Sequence, residues 1–236
     1  MKKSNYLFRE IKHPKDVNDY YHVFNQSNIL NVIYWHEFLK MAAKIKGDIV
    51  ECGVGRGKSI ITLSILDNYM ELIYSNYPKR RIFCLDSFNG FPHPTIEDTS
   101  ERKATKGEWR MSPNNQFKYT ITNIRKVIQK ASVCNKSKSK IKLIKGYFNN
   151  TTKKLKVKNI AILHLDGDLY QSVKDPLENL APMITKGGII VIDDYIIKQK
   201  KDLWPGSRKA VTEFLKKNKN FEIKESIKGS PYLIKN

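Results

Sequence analysis

Leu163-His164-Leu165-Asp166-Gly167-Asp168-Leu169-Tyr170-Gln171-Ser172 is the stretch on which the fold turns. It grows out of an apolar run, Ile160-Ala161-Ile162-Leu163, and a second such run, Gly188-Ile189-Ile190-Val191-Ile192, ends in Asp193-Asp194-Tyr195. Short, unbroken runs rich in branched residues read as strands buried on both faces of a parallel sheet. Carboxylates therefore stand at the carboxyl ends of two strands, the edge where open α/β sheets bind ligands. A single Asp there reads as a helix cap or turn residue. As a set, Asp166, Asp193 and Asp194 repel one another unless a cation offsets them, and oxygen-only donors suit a hard ion such as Mg²⁺.

Upstream, Asp48-Ile49-Val50-Glu51-Cys52 reads as a strand and Gly53-Val54-Gly55-Arg56-Gly57-Lys58-Ser59 as a loop entering a helix. Alternating glycines let a backbone approach a ligand, and the helix start offers free amides. Two phosphate-binding patterns almost match and fail: a P-loop needs Gly where Cys52 stands, and GxGxxG needs Gly where Lys58 stands. What is left, Glu-x-Gly-x-Gly-x-Gly, resembles motif I of class I S-adenosylmethionine-dependent methyltransferases. The next strand, residues 81–86, ends in Asp86, where doubly wound folds hydrogen-bond a ribose diol.

The remaining pattern supplies a strand from Ile141 with its exit loop through Gly146 and Phe148, and a closing hairpin from residues 221–225 and 231–234. That makes seven strands. Helices are expected over residues 17–24, 31–44, 114–130 and 175–184, the last with Pro176 in its first turn, and after Trp204 with Ser207 as the cap. Residues 136–140 read as a charged surface turn. Residues 93–113, with Lys106-Gly107-Glu108-Trp109, read as a mobile loop without structure of its own, a lid over the substrate. The expected organisation is a helical N-terminal cap or lid over residues 1–47 and a single α/β domain over residues 48–236.

Composition narrows the partners. The net charge of +20 comes from 43 basic residues against 23 acidic ones. Almost all the basic residues are Lys, scattered through nearly every segment, whereas specific phosphate and base contacts favour Arg. This favours a solvated surface over nucleic-acid binding. No apolar run is long enough to span a bilayer and Met1-Lys2-Lys3-Ser4-Asn5 opens no signal peptide, so the expected location is cytoplasmic. Cys52, Cys84 and Cys134 form no CxxC pair and read as reduced thiols, the first two as small buried hydrophobes.

Six motifs together resemble the macrocin O-methyltransferases: Glu51-Cys-Gly-Val-x-x-Gly, Asp86-Ser-Phe-x-Gly-Phe-Pro, Lys145-Gly-Tyr-Phe, His164-Leu-Asp-Gly-Asp-Leu-Tyr-x-Ser, Gly187-Gly-x-x-x-x-Asp-Asp-Tyr and Pro205-Gly-Ser-Arg-Lys-Ala-Val. They run in family order from about residue 48 to residue 216, with the His164 block the most specific. The resemblance implies a Rossmann-like class I methyltransferase: a seven-stranded, mostly parallel sheet with helices on both faces and a C-terminal antiparallel hairpin. It implies S-adenosylmethionine as methyl donor, contacted by Glu51, Cys52, Gly53, Gly55, Gly57, Ser59, Asp86, Ser87, Gly146, Phe148 and Asp166. It implies a divalent cation, Mg²⁺, on Asp166, Asp193 and Asp194, and a sugar hydroxyl as acceptor. Residues 1–47 and 93–113 match the family weakly.

On this reading Asp166 serves as metal ligand and proton acceptor together, with Asp168 or a lid residue as competitor. His164 and His36 are structural. The strongest rival is a metal-dependent glycosyltransferase holding a sugar nucleotide on Asp166-Gly167-Asp168; it gives no reason for the upstream glycines and Asp86. A basic nucleic-acid-binding protein is a third reading. A homo-oligomer is expected through the N-terminal helices.

Overall fold

The computed structural model describes residues 26–112, 117–131, 134–199 and 202–236. The helix expected over residues 17–24 lies outside the described residues. Seven strands make one sheet in the order β3-β2-β1-β4-β5-β7-β6. They are β1 Asp48–Cys52, β2 Ile82–Asp86, β3 Ile141–Lys145, β4 Ile160–Leu165, β5 Ile184–Ile192, β6 Phe221–Glu225 and β7 Pro231–Lys235. Neighbours from β3 to β5 are parallel, and β7 runs antiparallel to both β5 and β6.

The central strands are apolar on both faces, so each face needs a helical layer. On one face α1 (Gln26–Met41), α2 (Lys58–Ile73) and α3 (Ile121–Lys130) bury Trp35, Phe38, Leu63, Met70 and Val127 against Ile49, Ile82 and Ile162. On the other, α6 (Tyr170–Leu180) and α7 (Pro205–Lys217) bury Val173, Leu177, Val211 and Phe214 against Val50, Leu163 and Ile190. Two short helices, α4 (Asn135–Lys140) and α5 (Phe148–Lys154), flank β3. Cys52 and Cys84 lie fully buried on neighbouring strands, as expected.

The strand order reverses between β1 and β4, which opens a crevice at their carboxyl ends. Asp166 N donates to Cys52 O at 2.9 Å there. Gly53, at φ 105°, lies so close that a Cβ would sit 1.8 Å from the Asp166 carbonyl oxygen. Only glycine lets the two strand ends meet.

Several elements depart from expectation, each for a tertiary reason. The helix expected at residues 175–184 begins at Tyr170, because Tyr170 N donates to Asp98 Oδ1 at 2.7 Å, a cap supplied from 72 residues away. Pro176 consequently lies inside the helix rather than in its first turn. Ser207 does not cap α7; its Oγ donates to Asp194 Oδ2 at 2.9 Å. The charged turn at residues 136–140 is α4, where Lys136 and Lys140 reach Glu71 and Asp67 of α2. The helix expected from residue 114 starts at Ile121, with Thr120 accepting from Asn123 N. Residues 93–112 are not structureless. They hold a 3₁₀ turn, Ile96–Asp98, and dock on α6 and α7 through Asp98, a Glu97–Lys209 pair at 3.3 Å and the Arg102 guanidinium 4.5 Å from the Trp204 ring centroid.

Candidate functional site

A cavity of about 630 Å³ opens at the crevice, and both halves of the expected site face it. The first half is a cradle around Asp86. Its carboxylate ends β2 and is gripped by backbone: Val54 N and Gly55 N donate to Oδ2 at 2.8 and 3.3 Å, and Phe88 N donates to Oδ1 at 2.6 Å. Burial pushes the carboxyl pKa up and these three amides pull it back, with a net rise. Three of the carboxylate's roughly four lone-pair sites are thus taken, and Oδ1 keeps one for a hydroxyl donor. Gly53, Gly55, Ser59, Ser87 and Phe148 line the cavity beside it, and a Cβ at Gly55 would meet nothing within 4 Å, so open space borders that backbone.

Four of the expected donor contacts do not line the cavity. Cys52 is fully buried in the core below it. Glu51 is fully buried and holds His164 Nδ1 at 3.1 Å. Gly57, at φ 83°, shapes the entry into α2, and Gly146, at φ 144°, shapes the exit from β3. Glycine is required at both, but as a turn residue.

The second half is the acidic corner. Two overlapping groups form, each with ligand atoms within 4.8 Å of one another: His164, Asp166 and Asp193, and Asp166, Asp168 and Asp194. Asp166 belongs to both. Asp193 and Asp194 fall on different sides of it because consecutive residues leaving a strand point opposite ways. Asp168 adopts φ 60°, a left-handed conformation that Asp tolerates. Burial, and then the neighbouring carboxylates, push the Asp166, Asp168 and Asp194 carboxyls well above the usual range. Asp194 Oδ1 is closed off from solvent with no hydrogen-bond partner, although Asp194 does not line the cavity itself. Crowded carboxylate oxygens with an orphaned acceptor are a donor set suited to a hard divalent cation.

His164, expected to be structural, lines the cavity and shares a group with Asp166 and Asp193. It is buried; desolvation lowers its pKa, the Glu51 contact outweighs this, and the net shift is upward. Trp35 packs edge-on at 4.7 Å between ring centroids. His36 lies exposed on α1.

Sequence reasoning missed part of the wall. Asn31 and Trp35 of α1, Trp109 and Tyr119 all line the cavity, as does Lys228 from the β6–β7 turn. Lys228 Nζ stands 3.4 Å from Asp193 Oδ1 and 3.8 Å from the Tyr34 ring centroid. Burial lowers the Lys58 pKa, and Lys228 and Arg56 lower it further. Trp109 carried a signal, an aromatic in the lid segment; Lys228 carried none.

The family model described as macrocin-O-methyltransferase (TylF) matches residues 37–228. The chain belongs to the macrocin O-methyltransferase family. Within it, the chain is 31% identical over 163 residues to 8-demethyl-8-(2,3-dimethoxy-alpha-L-rhamnosyl)-tetracenomycin-C 4'-O-methyltransferase of Streptomyces olivaceus, covering 69% of this chain and 58% of that one. It is 27% identical over 183 residues to demethyldecarbamoylnovobiocin O-methyltransferase of Streptomyces niveus, covering 78% and 62%. The chain thus spans about three-fifths of the length of these curated relatives. Among solved structures, the calicheamicin methyltransferase CalS11 superposes with a TM-score of 0.74 at 20% identity, covering 96% of this chain and 87% of that one, which confirms the class I methyltransferase fold. Among the described residues no helix is long and apolar enough to cross a membrane.

Proposed function

We propose that the chain transfers the methyl group of S-adenosylmethionine to a hydroxyl of a sugar, and that a divalent cation, Mg²⁺, is held where transfer occurs by Asp166 together with Asp193 or Asp194, which belong to different groups around it rather than to the single expected triad. One observation carries this reading: the glycine turn with Asp86 and the acidic corner open on the same cavity. A nucleotide-sugar site built on Asp166-Gly167-Asp168 needs no such cradle. The sugar acceptor is supported by the family and by the rhamnosyl substrate named for the Streptomyces olivaceus relative.

The sulfonium already activates the methyl group, so the chain must align an acceptor oxygen with it and take away a proton; alignment alone supplies several kcal/mol. In this reading Asp86 accepts from the donor's ribose hydroxyls, the backbone at Gly53 and Gly55 admits the donor closely, and Ser59, Ser87 and Phe148 complete its pocket. A bound divalent cation would orient two neighbouring acceptor oxygens and lower the pKa of the one to be methylated. The proton is assigned to Asp168 rather than to Asp166. A carboxylate engaged as a ligand loses basicity, whereas Asp168 lines the cavity and has its proton affinity raised by burial and by Asp166. Phe91, Pro92 and Trp109 line the cavity, with Phe91 tied by backbone hydrogen bonds to Gly107 and Glu108 of the docked segment, and in this reading they would shield a bound acceptor from water.

The test is calorimetric titration of S-adenosylhomocysteine into metal-free protein, with and without Mg²⁺, and into Asp86→Ala. The expected result is micromolar binding that Asp86→Ala weakens and, with Mg²⁺ added, methylation of a vicinal-diol sugar. Folded protein that binds a sugar nucleotide but not S-adenosylhomocysteine would sink the proposal.

A further inference from the structure

Asp193 differs from its neighbour Asp194 in having a cation from its own chain. Asp193 N donates to Leu165 O at 3.0 Å, which fixes its backbone against the end of β4, and its Oδ1 lies 3.4 Å from Lys228 Nζ. Lys228 is held in that position. Its side chain is 23% exposed, against 79% for Lys198, which pairs with Glu225 on the open surface. The ammonium stands 3.8 Å from the Tyr34 ring centroid, where the negative face of the ring attracts it. Tyr34 is itself fully buried, so the platform under Lys228 is part of the core.

The turn that carries Lys228 is braced as well. Tyr34 Oη and Ser230 Oγ lie 3.2 Å apart, and Ser226 Oγ and Ser230 Oγ 3.0 Å apart, both pairs buried. Lys228 N donates to Ser226 Oγ at 3.3 Å, and Ile197 N donates to Gly229 O at 2.9 Å. The last bond ties the turn to the segment that follows Asp193 and Asp194, so ammonium and carboxylate belong to one braced piece of structure. Ordering a long side chain costs entropy, and an exposed surface pair gains little in return. Here the ring platform and the fixed turn carry part of that ordering before the pair forms.

A divalent cation on Asp166 and Asp193 would share the Asp193 carboxylate with this ammonium, and like charges a few ångströms apart repel. We propose that Lys228 is a positioning residue for the cation: it holds the Asp193 carboxylate at the cavity and competes with the divalent ion for it, so that Lys228 sets how tightly, and how reversibly, the ion is bound. The inference rests on the cation of the proposed function. It fixes the sign of an effect. Taking away the charge at residue 228 strengthens the binding of the ion, whereas taking away a residue that merely supported the fold of the site would weaken it.

Calorimetric titration of Mg²⁺ into the chelator-treated full chain tests the proposal, in wild type, Lys228→Met, Lys228→Arg and Lys198→Met. Lys228→Met keeps an apolar stem for the Tyr34 ring. It should bind Mg²⁺ about tenfold more tightly at low ionic strength, the effect of removing one unit charge about 5 Å from a divalent ion in a water-like medium. The gain should shrink as added salt screens the charges. Lys228→Arg should stay within about threefold of wild type, because the charge is retained. Lys198→Met removes the same charge from the open surface and should change nothing. Binding by Lys228→Met that is equal to wild type or weaker overturns the inference and leaves the cation itself in place, as does an equal gain in Lys198→Met. No binding by wild type or by Lys228→Met removes the proposed cation, and the inference with it.

Discussion

Asp86 and Asp194 stand at the ends of β2 and β5, both with burial pushing their proton affinity up, and they are finished in opposite ways. The Asp86 carboxylate receives three backbone amides, two from the adjacent glycine turn and one from its own. Asp194 receives Ser207 on one oxygen and nothing on the other. A buried acceptor left without a partner costs about 1–3 kcal/mol, and like charges alongside it add to that. The cradle around Asp86 is complete as the chain folds. The acidic corner leaves Asp194 Oδ1 without a hydrogen-bond partner, a lack that the proposed cation would answer.

The contrast can be broken experimentally. Asp166→Asn should reduce methyl transfer by about 10³-fold, corresponding to the several kcal/mol that an oriented, cation-bound acceptor contributes, while S-adenosylhomocysteine affinity changes less than tenfold. Equal losses in both measurements would mean that the two halves are not separable. Gly53→Ala strikes where they join and forces the β1 and β4 ends apart. It should cost about 3 kcal/mol, read as a melting temperature lowered by about 6–12 °C, and it should weaken the donor as well as the metal.

Asp86→Ala should weaken S-adenosylhomocysteine by about 10–100-fold, the loss of charge-assisted hydrogen bonds, and leave Mg²⁺ stabilisation in place. The acidic corner also makes a pH prediction. The folded values of Asp166, Asp168 and Asp194 are raised, so the folded chain keeps protons that the unfolded chain releases. Their contribution to stability is therefore lost as pH rises above the ordinary Asp value of 3.8 and through the raised values. In chelator, the melting temperature of wild type should fall relative to Asp168→Asn across that window, and Mg²⁺ should remove the difference. A wild type that gains on the variant as pH rises would refute the unsatisfied corner. The smallest effect is expected from Arg102→Ala, which removes the Trp204 and Glu108 contacts of the docked segment. The acceptor KM should rise a few-fold, with donor affinity unchanged.

The glycine turn, Asp86 and the two acid-ended strands were legible in sequence because each depends on residues adjacent in the chain. Lys228 and Ser207 were not. Lys228 reaches Asp193 from a turn 35 residues away, and Ser207 looked like a helix cap until its hydroxyl was found on Asp194. Asp98 likewise read as loop, yet it starts α6 and fills the space that a side chain at Gly206 would need: a Cβ there would stand 1.9 Å from Asp98 Oδ1.

What the sequence by itself determined is the strands of the sheet, the parallel direction of the central ones and the two chemical motifs at their ends. Strand periodicity and glycine conformation are local properties. What only the tertiary structure decided is which acids lie within 4.8 Å of one another, which carry satisfied charge, and which residues wall the cavity beside them. Those depend on distances of a few ångströms between residues far apart in the chain, and no local pattern encodes such distances.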